Sequence, residues 1–148
     1  MSRWRPHPGI QIKVLGLAFC NGSLLCMQVT TDSGTVKGVR PLGGGVEFGE
    51  TRAAALAREF EEELSTGIRI TGDWMVIENL YRHEGQQGHE FDFAVPVEMD
   101  NKALYDIKQT SIADSTMAAV GWFRRQEFEQ RGWRLYPDGL ADMIGDMW

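Results

Sequence analysis

Residues 43–68, GGGVEFGETRAAALAREFEEELSTGI, govern how the rest of the chain is read. Glycines come first (Gly43, Gly44, Gly45, Gly49), then a run of helical character, then a cluster of carboxylates. Wound at about 100° per residue, the run predicts a helix whose buried stripe is Ala53, Leu56, Phe60 and Leu64. Glu59, Glu62 and Glu63 stand at i, i+3 and i+4, a spacing that gathers side chains on one face, while Glu61 points elsewhere.

Like charges at that spacing destabilise a helix by about 0.2–0.5 kcal/mol per pair. The nearest cation is the single Arg58. A divalent cation bound among the carboxylates would offset the repulsion. Hard oxygen ligands at this density suit Mg²⁺ or Mn²⁺, with phosphate oxygens and water completing the shell. The plainer alternative is a solvated acidic face. The glycines ahead of the helix favour ligand binding, because backbone without a Cβ permits close approach. They do not form a P-loop, since no Gly-Lys-Ser/Thr follows.

Spacing and residue types together resemble the signature of the Nudix hydrolases, G-x5-E-x7-R-E-U-x-E-E-x-G-U, where U is a bulky apolar residue. Gly44, Glu50, Arg58, Glu59, Phe60, Glu62 and Glu63 fall at the required positions. Ser65 and Thr66 stand where glycine and an apolar residue are expected, and Gly67-Ile68 follows two residues late, as if the helix were lengthened before its glycine stop.

The resemblance implies an α/β/α sandwich with a mixed sheet, the helix of residues 43–68 packed on it, and hydrolysis of a nucleoside diphosphate linked to another group. It also implies metal ligands: Glu59, Glu62, Glu63 and the Gly43 carbonyl, holding Mg²⁺ or Mn²⁺. Gly44 and Glu50 would support them from behind. Arg58 would orient Glu59 through charge-assisted hydrogen bonds, with a surface salt bridge as its ordinary alternative. The general base of such enzymes is a carboxylate of the signature or one from a later loop. Outside the signature the candidates are Glu84, Glu90 and Asp114, Glu90 first among them. Arg40, Tyr81 and Arg82 are candidate phosphate or base contacts. Tyr81 lies near a position where dinucleoside polyphosphate hydrolases carry a tyrosine, and the proline of ADP-ribose-cleaving relatives is missing at residues 82–84. His83 and His89 are read as solvated loop residues rather than a zinc site. Family members often dimerise, so a homodimer is among the expected assemblies.

Composition narrows the function classes. A chain of 148 residues with 43% hydrophobic and 24% charged content fits one soluble domain with its own core. A net charge of −6 argues against binding a nucleic-acid duplex, and would repel a polyphosphate unless cations bridged it. Cys20 and Cys26 make neither a CxxC pair nor a disulfide framework, so a reducing cytoplasm is the expected compartment. Arg3, Arg5 and the apolar residues 14–20 faintly imitate a secretory signal. Asn21-Gly22 directly after them reads better as a hairpin turn, and no stretch is long enough to span a membrane.

Along the chain, residues 1–9 read as a loose lead-in. Residues 10–20 and 23–30 read as antiparallel strands around Asn21-Gly22. Residues 31–38 read as a connection into 39–42, which delivers the chain to a glycine-rich turn. After the helix, 68–71 is strand-like, 74–81 and 90–99 pair as a hairpin across a polar loop at 82–89, and Pro96 marks an edge or exit. Residues 101–113 are undecided. Residues 118–123 read as a strand, 124–130 as a helix, and Pro137 as the opening of a last helix over 138–147. Two alternatives to catalysis stay open: a nucleotide-binding sensor that kept the fold and lost turnover, and an interaction module with an acidic helix and no metal.

Overall fold

The computed structural model describes residues 3–107, 109–111 and 119–148. The chain enters through β1 (Ile10–Leu17) and a short β2 (Phe19–Cys20), then turns back at Asn21-Gly22 into β3 (Ser23–Thr30). Asn21 (φ 50°) and Gly22 (φ 80°) both have positive φ, as a two-residue turn of matching twist requires. Then come β4 (Val36–Gly45), α1 (Arg52–Leu64), β5 (Ile68–Ile70), β6 (Met75–His83) and β7 (Gln86–Met99). A 3-10 turn (Lys102–Asp106), β8 (Gln109–Ser111), β9 (Ala119–Arg124), α2 (Arg125–Arg131), β10 (Arg134–Leu135) and α3 (Leu140–Ile144) follow, and a 3-10 turn (Gly145–Met147) closes the described chain.

The sheet is mixed and mostly antiparallel, in the order β5-β7-β1-β4-β3-β9-β8, with β6 also paired to β7 and β10 to β4. Its parallel pairings are β1 with β7 and β10 with β4. Strand β4 serves three ladders: residues 42–45 pair with β1, residues 36–41 pair with β3, and Gly38 and Val39 also pair with β10. Side chains alternate across the sheet and build two cores. On one face Val14, Leu42 and Val95 pack with Leu56, Phe60 and Leu64 of α1. On the other Leu15, Leu17, Val39 and Ala94 pack with Phe128 of α2 and Leu140 and Ile144 of α3. The result is three layers, helix on sheet on helices. Phe60 lies directly over Gly16, where an added Cβ would strike its ring.

Several local expectations change. The glycines Gly43–Gly45 are not a turn but the last residues of β4, paired with Leu15, Val14 and Lys13 of β1. The buried stripe of α1 is Ala55, Leu56, Phe60 and Leu64. Ala53 shares their angular position but lies in the exposed first turn, at the helix end. The supposed loop at 82–89 is mostly strand, because Glu84-Gly85 (φ 50° and 80°) closes the β6–β7 hairpin in two residues and pairs Arg82 with Gln87 and His83 with Gln86. Its polar residues belong to a strand end rather than to a loop. The lead-in is not loose either: Pro6 is buried, and Arg5 makes a bidentate pair with Asp32 at 3.0 and 2.5 Å.

Helix α1 begins at a standard cap, with the Thr51 hydroxyl accepting from the Ala54 N–H at 3.1 Å. It ends one residue after Leu64, where Ser65 adopts the left-handed conformation (φ 53°, ψ 44°) and donates its N–H to the Glu61 carbonyl. The helix is therefore not lengthened; serine occupies the place of the glycine stop. Thr66 is buried, donating its hydroxyl to the Gly67 carbonyl at 2.9 Å and accepting from the Asn101 N–H at 3.0 Å, which ties the helix exit to the end of β7. A left-handed non-glycine residue carries a penalty of roughly 1–2 kcal/mol. Ser65→Gly is thus expected to stabilise the protein by about 1 kcal/mol, and thermal melts should show a rise of about 2–4 °C.

Candidate active site

One arginine organises the acidic end of α1. Arg58 donates from Nε and Nη2 to both oxygens of Glu50 at 2.8 and 3.0 Å, and from Nη1 to Glu59 at 3.0 Å and Glu62 at 3.4 Å. Its Nη2 also reaches the Gly45 carbonyl at 3.0 Å, pinning the helix to the end of β4. The planar guanidinium fork suits this many acceptors in a way a lysine ammonium does not. The pairing holds the Glu50 carboxyl down at about 2, chiefly through its hydrogen bonds from Arg58, and raises the already high Arg58 pKa. Glu50 thus stays charged beside Arg58.

The backbone beneath is shaped to fit. A Cβ on Gly44 would run into the Glu59 carboxylate, so the missing side chain is the space that carboxylate occupies. Glu59 is largely covered, at 14% side-chain exposure, whereas Glu62 is open at 47%. Glu59 and Glu62 with the nearby β4 backbone offer a hard, all-oxygen donor set that fits Mg²⁺ or Mn²⁺. Among the described residues, a trio with ligand atoms all within 4.8 Å is Asp32, His83 and Glu84. Its members are already engaged: Asp32 with Arg5, His83 with Lys37 Nζ at 2.9 Å, and Glu84 with the Asp32 N–H at 3.1 Å.

Glu63 lines a cavity of about 1120 Å³. Arg40, Tyr81, Arg82 and Glu90 line it too, so the fold gathers every candidate contact residue of the sequence around one space with one end of α1. Their surroundings differ. Arg82 is exposed and donates to the carbonyl of its own turn at Gly85, 3.1 Å away. Tyr81 lies across Gly88, where a Cβ would strike its ring, and burial raises its phenol pKa. Glu90 points away from the α1 layer: Phe93 and Val95 of β7 pack with α1, while Glu90, Asp92 and Ala94 take the other face. Burial raises the Glu90 pKa against the opposing pull of Lys13 and Arg40. Of the other candidate bases, Glu84 is an exposed turn residue, and Asp114 lies outside the described residues. His83 is buried rather than solvated, its pKa lowered by burial, and His89 pairs with Glu78 at 3.0 Å.

Two features of this cavity escaped the sequence reading. Arg3 and Trp4 of the N-terminal segment line it, Trp4 packing parallel to Tyr81 (6.5 Å, 11°) and edge-on to His83 (5.2 Å). No periodicity marks such a residue. The second is Asp92, only 3% exposed, with a carboxylate oxygen that is buried without a hydrogen-bond partner. The alternation of Phe91 and Phe93 with Asp92 was its only signal, and alternation alone does not say whether the polar face is buried.

Burial, followed by the charge of Glu90, pushes the Asp92 carboxyl up to about 7 from an ordinary 3.8. A raised carboxyl favours the folded state fully below the unfolded value and loses that advantage as pH rises through the folded value. Stability should therefore fall between about pH 4 and 7, by up to about 1.4 kcal/mol per pH unit from this group. Asp92→Asn is expected to flatten that slope and to melt higher than wild type at pH 8, with the two converging at pH 4. Melting curves across this range would show it.

A family model described as NUDIX domain matches residues 11–141. No curated protein matches the chain. Among solved structures it is similar to a NUDIX hydrolase from Nitrosomonas europaea (17% identity, TM-score 0.61), covering 97% of this chain and 88% of that one. It is similar also to the E. coli ORF135 protein (22% identity, TM-score 0.56), covering 93% and 89%. A third likeness is to a bifunctional NMN adenylyltransferase/ADP ribose pyrophosphatase from Francisella tularensis, complexed with AMP and Mn ion (18% identity, TM-score 0.57), covering 95% of this chain and 42% of that one. At these identities the likeness is one of fold.

Proposed function

The chain belongs to the NUDIX domain family, and on that premise we propose that it is a divalent-cation-dependent hydrolase of a nucleoside diphosphate derivative, cleaving a phosphoanhydride bond by attack of water at phosphorus. The observation that carries the reading is the Arg58 knot: one guanidinium joins Glu50, Glu59, Glu62 and the Gly45 carbonyl at the mouth of the signature helix. Glu59, Glu62, Glu63 and the Gly43 carbonyl would hold Mg²⁺, or Mn²⁺ in its place. When bound, the ion supplies positive charge to phosphate oxygens and activates water.

The chain's own residues supply the rest. Arg58 keeps the Glu59 carboxylate aimed through its hydrogen bond. Glu90, on the wall of the cavity, would take the proton of the attacking water, its raised pKa bringing it nearer to the working pH of a base. Arg40 would meet phosphate charge, and Tyr81 with Trp4 would flank the base. The apolar row Ile10, Ile12, Val76 and Leu80, exposed on the sheet, supports a homodimer. No helix among the described residues is long and apolar enough to cross a membrane, and both cysteines are free, which supports a reducing cytoplasm.

The test is phosphate release with Mg²⁺ across nucleoside triphosphates, ADP-ribose, nucleotide sugars, dinucleoside polyphosphates and oxidised nucleotides, with Glu62→Gln as control. Turnover of one class that vanishes in the variant identifies the substrate. Silence with Mg²⁺ and nucleotide still bound would favour the sensor. Silence with no metal binding at all would defeat the carboxylate site.

A further inference from the structure

Asp92 serves the fold badly. Its neighbours along the same face of the sheet are Leu15, Ala94 and Ile77 together with Lys13, Asn79 and Glu90, and although Asn79 donates to it, a neutral side chain would sit there at lower cost than a desolvated carboxylate. Lys13 stands opposite it in the β1–β7 register, yet among the described residues no ion pair to Asp92 forms from Lys13 or Arg40. One carboxylate oxygen is left buried and unpartnered, and the residue lines the cavity that also holds Glu63 and Glu90. A group kept at a cost to stability beside a cavity marks a function.

The chemistry of the missing partner follows from the surroundings. A phosphate would be repelled, since Glu90 lies two residues away on the same face of β7. An ionised carboxylate only accepts hydrogen bonds, so its partner must donate. The same cavity carries the parallel rings of Trp4 and Tyr81, which offer stacking surface to a planar heterocycle. We propose that Asp92 is a specificity-determining residue that accepts a hydrogen bond from an amino group on the substrate's heterocycle, selecting amino-bearing over oxo-bearing bases. This rests on the nucleotide reading above and adds to it the class of base.

The experiment is equilibrium binding of two matched pairs at pH 8 with Mg²⁺ present, by titration calorimetry: AMP against IMP, and CMP against UMP. Each pair exchanges an amino donor for an oxo acceptor at one ring position. Wild type is expected to bind the amino member of at least one pair about 10- to 100-fold more tightly, the range of a hydrogen bond to a charged group. Asp92→Asn, which adds a donor, should narrow or reverse that ratio. Asp92→Leu should erase it by weakening the amino member, while the oxo member changes less than about threefold. Wild-type ratios within twofold of one, or a ratio unchanged in both variants, would overturn the proposal. Loss of both members of a pair to the same extent in Asp92→Leu would overturn it too, pointing to a sugar hydroxyl. Wild type binding no nucleotide would overturn this inference along with the nucleotide reading; turnover without amino preference would overturn this inference alone.

Discussion

Replacing Arg58 with methionine is expected to lower kcat/KM by about 100-fold and to weaken Mg²⁺ binding by about 10- to 100-fold. Methionine keeps the apolar stem and removes the fork. Without it, Glu50, Glu59 and Glu62 face one another with no cation between them, and Glu59 loses the bond that aims it at 3.0 Å. Lysine should rescue poorly, because a single ammonium cannot serve both oxygens of Glu50, Glu59 and the Gly45 carbonyl together. Glu61→Gln, on the exposed side of the same helix, is the matched control and should leave kinetics unchanged. Metal affinity can be followed apart from turnover, through the rise in melting temperature with added Mg²⁺. Activity of Arg58→Met within threefold of wild type would return Arg58 to the status of a surface salt bridge. The same variant should alter acid stability. Glu50 is held at about 2 against an ordinary 4.5, so its pairing contributes fully above about pH 4.5 and fades as pH falls toward 2. That segment of the acid-unfolding curve should disappear in Arg58→Met.

Three adjacent glycines are expected to give three different outcomes when each is changed to alanine. A Cβ on Gly43 would collide with the Val14 carbonyl, which is backbone of the central strand β1 and cannot step aside. Gly43→Ala should therefore destabilise the fold by about 3 kcal/mol, roughly 6–12 °C in melting temperature. The atoms nearest to a Cβ on Gly44 are those of the Glu59 carboxylate. That side chain can move, but only by leaving Arg58. Gly44→Ala should keep its melting temperature within about 3 °C and lose activity by about 10- to 100-fold. Gly45 has open space where a Cβ would go, so Gly45→Ala should be close to neutral in both assays. Equal losses across the three variants would mean that the glycines provide general chain flexibility and not two specific clearances.

Much of the architecture could be read from local pattern. Asn21-Gly22 announced its turn because positive φ at two successive residues is a local demand that few residue types meet. The α1 stripe and its acidic face followed from helical period alone, apart from Ala53, since period gives angle but not where along its length a helix is covered. The β6–β7 hairpin was longer than it looked, because Glu84-Gly85 closes it while polar residues on both sides mimic a loop. Serine at the helix stop could be seen, but not its left-handed backbone, since a chain may equally continue the helix or break it there.

The site divides along the same line. By itself the sequence determined which carboxylates share a helix face, that Arg58 stands among them, and that glycines precede them, because those relations are set by distances of one or two helical turns. Only the tertiary structure decided that the glycines finish a central strand, and that Gly44 lies beneath Glu59. It also decided that the N-terminal Trp4 reaches Tyr81, and that Asp92 is buried beside a cavity. Each of these joins segments far apart in the chain, and is settled by how β4 is shared among β1, β3 and β10 and which face of β7 the helix covers. An alternating polar residue looks the same in sequence whether its face meets water or a binding cavity; packing alone makes the difference.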